Sequence, residues 1–150
     1  MLKNFHEAIQ AHFAHAVPHA RDCGITVTHC DARGAEATLP YRPEWLGDVE
    51  RGLIHTGIIT TLIDTLGGLA ALAAIEDFDT IATLDLRMDY LRSARPEKAL
   101  HCRAECYRLT RSIAFVRAWA WQDDRDEPVA VSNATFMRTP QKVRGQRGPL

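Results

Sequence analysis

The sequence predicts an α+β fold in which an antiparallel sheet wraps around one long central helix. Residues 55–75 contain no proline and almost no charge, and four later segments alternate apolar and polar side chains. A shorter helix and a hairpin come before them. A helix that is apolar on most sides must be covered, and consecutive antiparallel strands that curl around it can provide that cover.

The bulk composition is that of one ordinary globular domain. At 150 residues, with 46% hydrophobic and 25% charged residues, the chain is long enough for one core and too short for two. We predict a single domain over residues 1–138 and a disordered tail over residues 139–150, where apolar periodicity ends. The formal net charge of -1 gives no attraction to polyanions, so nucleic acid is not an expected partner.

Two features bear on the cellular compartment. The N-terminus has no apolar stretch of signal-peptide length, and no later segment reaches the ~18 uncharged apolar residues of a membrane span. We therefore expect a cytoplasmic protein with no membrane partner. The four cysteines form no Cys-x-x-Cys pair, and Cys102 and Cys106 lie too far apart along a predicted strand to be bridged, so we expect reduced thiols.

The first predicted element is an amphipathic helix over residues 3–16, which ends before Pro18. Its apolar side chains recur at four-residue steps: Phe5, Ile9, Phe13 and Val17. His12, His15 and His19 have a spacing that could face a metal ion, but no carboxylate or cysteine accompanies them on that stripe. We favour a polar helix face over a metal site, and no cofactor is expected.

A hairpin, a loop and the long helix follow. Residues 25–30 and 36–41 alternate apolar and polar side chains on either side of a turn at residues 31–34, which predicts the hairpin. Residues 42–53 contain Pro43, Gly47 and Gly52 and predict a loop. Residues 55–75 then form a helix about 30 Å long.

Four strands complete the predicted sheet. In the first, Leu84, Leu86, Met88 and Tyr90 alternate with Thr83, Asp85, Arg87 and Asp89, which predicts a half-buried strand with these two sets on opposite faces. The other three are predicted at residues 100–109, 113–122 and 128–138, separated by short polar turns.

The long helix has two different faces. Its bulky face is predicted to pack against the sheet and carries Ile59, Leu62, Ile63, Leu66, Leu69 and Ala70. The other face is a stripe of small or polar residues: Gly57, Thr60, Thr61, Asp64, Gly67, Gly68 and Ala71. The glycines of this stripe would let a second subunit or a bound ligand approach the helix backbone closely.

Asp64 is the one ionisable side chain of this helix after His55. An ionised carboxylate in an apolar setting is costly unless it is hydrogen-bonded or exposed in a cleft, so its presence indicates a use. Burial is expected to raise its pKa and to strengthen it as a base. The alternative is a structural carboxylate that bonds a neighbouring strand or crosses a dimer interface, and the residues alone leave both open.

The start of the helix offers a second set of groups. Thr56 and Gly57 follow His55, and their amide N–H groups lack intrahelical acceptors at the positive end of the helix, which suits a developing oxyanion. Asp64 lies about 13 Å further along the same helix. Both could serve one carbonyl only if they came from different subunits, which predicts a homodimer with shared active sites.

Four segments resemble, in order and spacing, the hotdog-fold acyl-CoA thioesterases of the phenylacetate-pathway family. They are RGLIHTGIITTLIDTLGGLAA, TLDLRMDYLRSA, YRLTRSIAFVRAWAW and AVSNATFM, within residues 45–138. The resemblance implies a hotdog fold and hydrolysis of a medium-chain, long-chain or aromatic acyl-CoA. It also implies a homodimer or homotetramer that needs no cofactor, since CoA belongs to the substrate.

The family's central helix opens with His-Gly-Gly, and its catalytic carboxylate lies nine residues after the histidine, an interval that His55 and Asp64 keep. The resemblance implies that Asp64 is the general base or nucleophile. It further implies that His55 and the Thr56 amide polarise the thioester carbonyl. Thr83 falls where the family often has a hydroxyl that positions water or the carboxylate.

The chain departs from the family at two positions. Val49 stands where many members have an asparagine, and Asp48 is the candidate to replace its contact. Thr56 replaces the first glycine of the motif and would narrow the acyl site there.

The resemblance also places CoA near Tyr90 and the turn that holds Arg108, Arg111 and Ser112. Arginine can donate to phosphate, and Ser112 and the backbone can hold the pantetheine or nucleotide. The alternative for each arginine is a solvated surface charge. Two other functions stay open on the same fold: a non-catalytic acyl-CoA-binding protein, and a hydratase or dehydratase.

Overall fold

Residues 5–140 are described by the structure, a computed structural model, as three α-helices, a six-stranded sheet and a short hairpin. The helices are α1 (Phe5–Ala16), α2 (Pro18–Cys23) and α3 (Thr56–Ile75). The strands are β1 (Thr26–Asp31), β2 (Gly34–Leu39), β3 (Leu46–Asp48), β4 (Leu53–Ile54), β5 (Thr80–Tyr90), β6 (Leu100–Leu109), β7 (Ile113–Trp121) and β8 (Ala130–Thr139).

The six long strands form one antiparallel sheet in the order β1-β2-β6-β7-β8-β5. α3 packs across one face of this sheet and contacts all six strands. The predicted α+β fold, an antiparallel sheet around a long central helix, is confirmed. β5 is an edge strand, because β8 is its one partner in the described part of the chain.

The hydrophobic core lies between α3 and the sheet. Ile59, Leu62, Ile63 and Leu66 of α3 are each at most 1% exposed, as the predicted bulky face requires. Burial of a side chain of this size contributes about 2 kcal/mol relative to leaving it in water, so this face holds α3 on the sheet.

Gly67 and Gly68 of the small stripe face the sheet of their own chain rather than a second subunit, which corrects that part of the expectation. A Cβ atom on Gly67 would lie 3.1 Å from Cζ of Phe136, and one on Gly68 would lie 3.1 Å from Cδ1 of Ile81. Both neighbours belong to the sheet of the same chain. These glycines therefore allow α3 to approach β8 and β5 closely.

Strand β5 contains a β-bulge that the strict alternation of its sequence did not predict. Thr83 pairs with Phe136 and Asp85 with Thr135, so Leu84 is the extra residue, and it is 54% exposed. The bulge shifts the alternation by one residue, so Thr83 faces α3, as Leu86 does further along. The prediction that Thr83 and Leu86 lie on opposite faces is wrong for this reason.

Two further elements were not predicted. Pro18 ends α1 as expected but also begins α2, because proline suits the first position of a helix. The predicted loop over residues 42–53 contains a one-turn 3-10 helix (Pro43–Trp45) and the β3–β4 hairpin. The predicted tail overlaps the end of β8 at Thr139, and the rest of it from residue 141 onward lies outside the described residues. Residues 3–4 of the first predicted helix also lie outside them.

α3 is long and apolar enough to cross a membrane, with a mean hydropathy of 1.9, but 56% of that stretch is buried inside the domain. It serves as the core helix. The four cysteines are free, as predicted. Burial raises the pKa of the Cys30 thiol to about 11, and it also raises the pKa of Cys102 and of Cys106.

Candidate active site

Asp64 meets Thr83 where the middle of α3 crosses β5. The Thr83 hydroxyl donates a hydrogen bond to Oδ1 of Asp64 at 2.9 Å. No other hydrogen-bond donor reaches this carboxylate within residues 5–140, so Oδ2 is free to accept a proton. Asp64 is half-buried rather than buried as expected, because it borders a cavity.

This cavity, which we call the α1–α3 cavity, has a volume of about 360 Å³. Its lining is mostly apolar, and Asp64 and Thr83 form a polar part of its wall. The lining residues are Ile9, His12, Phe13, Ala16, Val17, Asp64, Thr65, Gly68, Leu69, Leu72, Phe78, Ile81, Ala82, Thr83 and Phe136. A carboxylate beside an apolar cavity of this kind is suited to act on the polar end of an otherwise apolar ligand.

The start of α3 is capped by His55. Its Nδ1 accepts a hydrogen bond from the Gly57 amide at 2.9 Å. The Gly57 amide is therefore occupied, which corrects the expectation that it is a free oxyanion donor. Because Nδ1 acts as acceptor, the neutral imidazole carries its proton on Nε2. The Nε2–H group and the Thr56 amide, which has no acceptor within residues 5–140, remain as donors at this helix end.

The β3–β4 hairpin holds His55 in place, a role that the sequence did not reveal. Trp45 ends the 3-10 helix directly before β3, and its carbonyl accepts a hydrogen bond from the His55 amide at 2.8 Å. A Cβ atom on Gly47 would lie 2.9 Å from both Cα and Cβ of His55, so only glycine lets β3 approach this closely. The signal in the sequence is Gly47 itself, but a glycine in a segment predicted as a loop does not by itself indicate a close approach to His55.

Tyr90 lies beside the first turns of α3. Its hydroxyl and that of Thr60 are 2.6 Å apart and share a hydrogen bond. Tyr90 and Thr56 also border a second cavity of about 300 Å³ next to the helix start. The structure thus brings together Tyr90, Thr56 and the region of His55 at one end of β5, and Thr83 and Asp64 nearer its other end.

The predicted CoA-binding turn lies at the opposite end of the sheet from Tyr90. Tyr90 pairs with Ala130, which pairs with Ala120 near the end of β7, whereas the turn precedes Ile113 at the start of β7. The two ends are about 23 Å apart along the strand. One chain therefore does not bring Tyr90 and this turn together.

The arginines of this turn differ from most others in the chain. Within residues 5–140, the guanidinium groups with no ion pair, hydrogen bond or ring contact are those of Arg95, Arg108 and Arg111. Two of these three lie at the β6–β7 turn: Arg108 near the end of β6 and Arg111 in the turn itself. Ser112 is exposed there, and its carbonyl accepts a hydrogen bond from the Arg138 amide at 2.9 Å.

A family model described as the thioesterase superfamily matches residues 51–129, which include α3 with Asp64 and β5 with Thr83. This chain belongs to the thioesterase superfamily. A protein of Halobacterium salinarum that is named as an esterase is 50% identical over 119 residues, 75% of this chain and 79% of that protein. The resemblance stated from the sequence is thereby confirmed.

Other members of the superfamily are similar over most of this chain. The medium/long-chain acyl-CoA thioesterase YigI of Escherichia coli is 23% identical over 138 residues, 83% of this chain and 88% of YigI. A crystal structure of a Pseudomonas aeruginosa protein has a TM-score of 0.79 and 39% identity, covering 88% of this chain and 98% of that one. The names of the Halobacterium salinarum protein and of YigI support a hydrolase activity, and the fold is the hotdog fold.

Asp48, the candidate to replace the asparagine contact, makes a hydrogen bond within its own hairpin. Its Oδ1 accepts a hydrogen bond from the Arg51 amide at 2.9 Å, so it stabilises its own turn in the β3–β4 hairpin. Val49, at the asparagine position, is 78% exposed.

The metal-site alternative concerned the histidines near the N-terminus. Residues 5–140 contain no cluster of three or more His, Cys, Asp or Glu side chains suited to a metal ion.

Proposed function

We propose that this protein is a cytoplasmic acyl-CoA thioesterase that acts as a dimer, with Asp64 as its general base or nucleophile. One observation carries the proposal: a carboxylate oriented by Thr83 borders an apolar cavity of about 360 Å³. An acyl-CoA has an apolar chain that suits the cavity and a thioester at the end of that chain, where Asp64 would meet it.

Two subunits would complete the site through β5. This strand is an edge of 11 residues without proline or lysine, so its free backbone groups are a template for pairing with a second copy. Antiparallel pairing about an axis between Leu86 and Arg87 sets Tyr90 opposite Thr83 of the partner. The helix start beside Tyr90 then approaches the partner's Asp64, which the separation along a single α3 prevents.

In this arrangement each group has one task. The His55 Nε2–H and the Thr56 amide donate to the thioester carbonyl oxygen as it gains negative charge. Asp64 of the other subunit either takes a proton from an attacking water or bonds to the carbonyl carbon itself, and water then hydrolyses the anhydride. In both routes the C–S bond breaks, and CoA leaves as a thiolate that takes up a proton.

The same pairing supports the proposed CoA site. The β6–β7 turn lies at the Thr80 end of β5, because Ile113 pairs with Met137 and Met137 pairs with Ala82. Antiparallel pairing brings this end of one subunit toward the Tyr90 end of the other. The unpaired guanidinium groups of Arg108 and Arg111 are then available to the phosphates of a CoA whose thioester lies between the subunits.

Replacement of Asp64 tests the proposal. Asp64→Asn is nearly isosteric, so we expect kcat on the best acyl-CoA to fall at least ~100-fold while KM changes little. The free energy of unfolding should hold or rise, because a partly desolvated carboxylate is costly. Asp64→Glu moves the carboxylate by about one methylene and should also lower kcat. Asp126→Asn, an exposed change in the β7–β8 turn, is the matched control.

The assay follows release of free CoA with a thiol-reactive dye across a panel of acyl-CoAs. Near-parent kcat in Asp64→Asn, or a variant that unfolds, would make Asp64 a structural residue and overturn the mechanism. Binding of acyl-CoA without thiol release by the parent protein would indicate a binding protein. A change in acyl absorbance without thiol release would indicate a hydratase or dehydratase.

A further inference from the structure

We infer that α1 sets the length of the acyl chain that this protein accepts, with Phe13 as the end wall. The inference rests on the proposed function and concerns its substrate class, a straight medium-chain acyl group. The α1–α3 cavity is bounded on one side by α3 and on the other by α1, which contributes Ile9, His12, Phe13 and Ala16. These residues lie outside the segment matched by the family model, residues 51–129.

The cavity has a closed end and an open end. The closed end lies at the core and is formed by side chains that are between 2% and 7% exposed: Ile9, Phe13, Leu69 and Phe136. The open end is surrounded by exposed residues: His12, Ala16, Phe78, Ala82 and Thr83. Thr83 holds Asp64 on the open side. A chain whose thioester lies at Asp64 would therefore run inward and end against Phe13.

α1 is anchored by side-chain contacts to three different parts of the domain. Nε2 of His6 donates to the Ala73 carbonyl of α3 at 3.0 Å, and Nε2 of Gln10 donates to the Val27 carbonyl of β1 at 3.2 Å. The ring of Phe5 packs edge-on against Phe78, after α3, with a centroid distance of 5.0 Å. These contacts make α1 a fixed wall, so the depth of the cavity is a property of the folded domain.

The volume and chemistry of the cavity define its occupant. Its polar groups lie at the opening, apart from Thr65, so the closed end favours an unsubstituted hydrocarbon. At about 30 Å³ for a group the size of a water molecule, a cavity of about 360 Å³ holds roughly twelve methylene-sized groups. Each methylene that fits should raise kcat/KM about fourfold, and the increase should stop at the wall.

The test measures kcat/KM for straight-chain acyl-CoAs from four to sixteen carbons. We expect the parent optimum near ~12 carbons. Phe13→Ala removes the end wall and should move the optimum about two to four carbons longer. Ala16→Phe adds a ring at the exposed opening, away from the end wall, and should lower kcat/KM for all chain lengths without moving the optimum. His15→Ala, an exposed change on α1 away from the cavity, should keep the parent optimum.

If Phe13→Ala does not fold because it opens a core position, Phe13→Leu tests the wall and should give a smaller shift to longer chains. Optima that match the parent in all folded Phe13 variants would overturn the inference while leaving the proposed function intact.

S-alkyl-CoA thioethers cannot be hydrolysed, so their binding affinity tests the end wall separately from the proposed thioesterase activity. If the parent releases no CoA from any substrate, the proposed function fails. A chain-length preference in thioether binding that shifts in the variants would still support the wall. Thioether affinities that do not depend on chain length, or that do not shift in the variants, would reject it.

Discussion

At the scale of single residues, the hydrogen bond between Thr83 and Asp64 decides which carboxylate oxygen can react. Thr83 occupies Oδ1, and Oδ2 has no donor within residues 5–140. The bond exists because the bulge at Leu84 turns Thr83 toward α3. A hydroxyl that holds one oxygen orients the other, so Thr83 is a positioning residue in the proposed reaction.

Thr83→Val removes the hydroxyl at nearly constant volume. We expect kcat to fall about tenfold or more, because a hydrogen bond to a charged group is lost, while KM for acyl-CoA changes little. Steady-state kinetics on the best substrate measures both. Thr83→Ser keeps the hydroxyl and should retain most of the parent kcat. Thr80→Val, an exposed change on the same strand, is the control. An increase in KM with unchanged kcat would contradict the positioning role.

Arg108 and Arg111 provide a second prediction. Replacing both with alanine should raise KM for acyl-CoA about tenfold and lower kcat much less, because phosphate contacts are similar in the ground and transition states. Added salt should raise the parent KM in the same direction. Arg21→Ala, an exposed arginine on α2, is the control. Equal KM values in parent and double variant would show that CoA binds elsewhere.

The residues of the candidate site were predicted unevenly. Asp64 is predicted as the one ionisable side chain of the helix after His55, which is a local property of the sequence, and the interval between His55 and Asp64 is a feature of the family resemblance. The role of Gly57 was wrong because the His55 side chain takes its amide, a choice of rotamer that spacing does not determine. Gly47 was missed because its contact with His55 is made across a hairpin that was predicted as a loop.

At the scale of elements, the β3–β4 hairpin is the support of the helix start. Gly47→Ala places a methyl group 2.9 Å from Cα and Cβ of His55, so His55 must shift. We expect kcat to fall about tenfold, because catalytic groups tolerate displacements well below ~1 Å. Val49→Ala, 78% exposed in the same hairpin, should leave kcat unchanged. Parent kcat in a folded Gly47→Ala protein would show that His55 needs no such support.

The long elements were predictable and the short ones were not. α3 and strands β6 to β8 were placed to within two residues, because an uncharged helix and period-two runs of about ten residues are strong signals. Strands of two or three residues, such as β3 and β4, are too short to show an alternation of apolar and polar side chains. The bulge in β5 was invisible because one extra residue changes the pairing with β8 without changing the composition.

At the scale of the whole molecule, the proposed site requires two chains, and hybrids test this directly. Asp64→Asn and His55→Ala chains should each be nearly inactive. A refolded equal mixture should recover about a quarter of the parent activity, because half of the dimers are hybrids with one intact site. Two differently tagged Asp64→Asn chains are the control. Sedimentation should show at least a dimer, and a fully active monomer, or no recovery in the mixture, would reject the shared site.

The buried cysteines have a consequence for a protein that releases a thiol. Free CoA and its oxidised form exchange with protein cysteines through the thiolate, not the protonated thiol. Burial raises the pKa of Cys30, Cys102 and Cys106, so these three groups stay protonated at neutral pH. The core of this domain is therefore resistant to mixed-disulfide formation with the product of its own proposed reaction, and its packing should not depend on the redox state of the CoA pool.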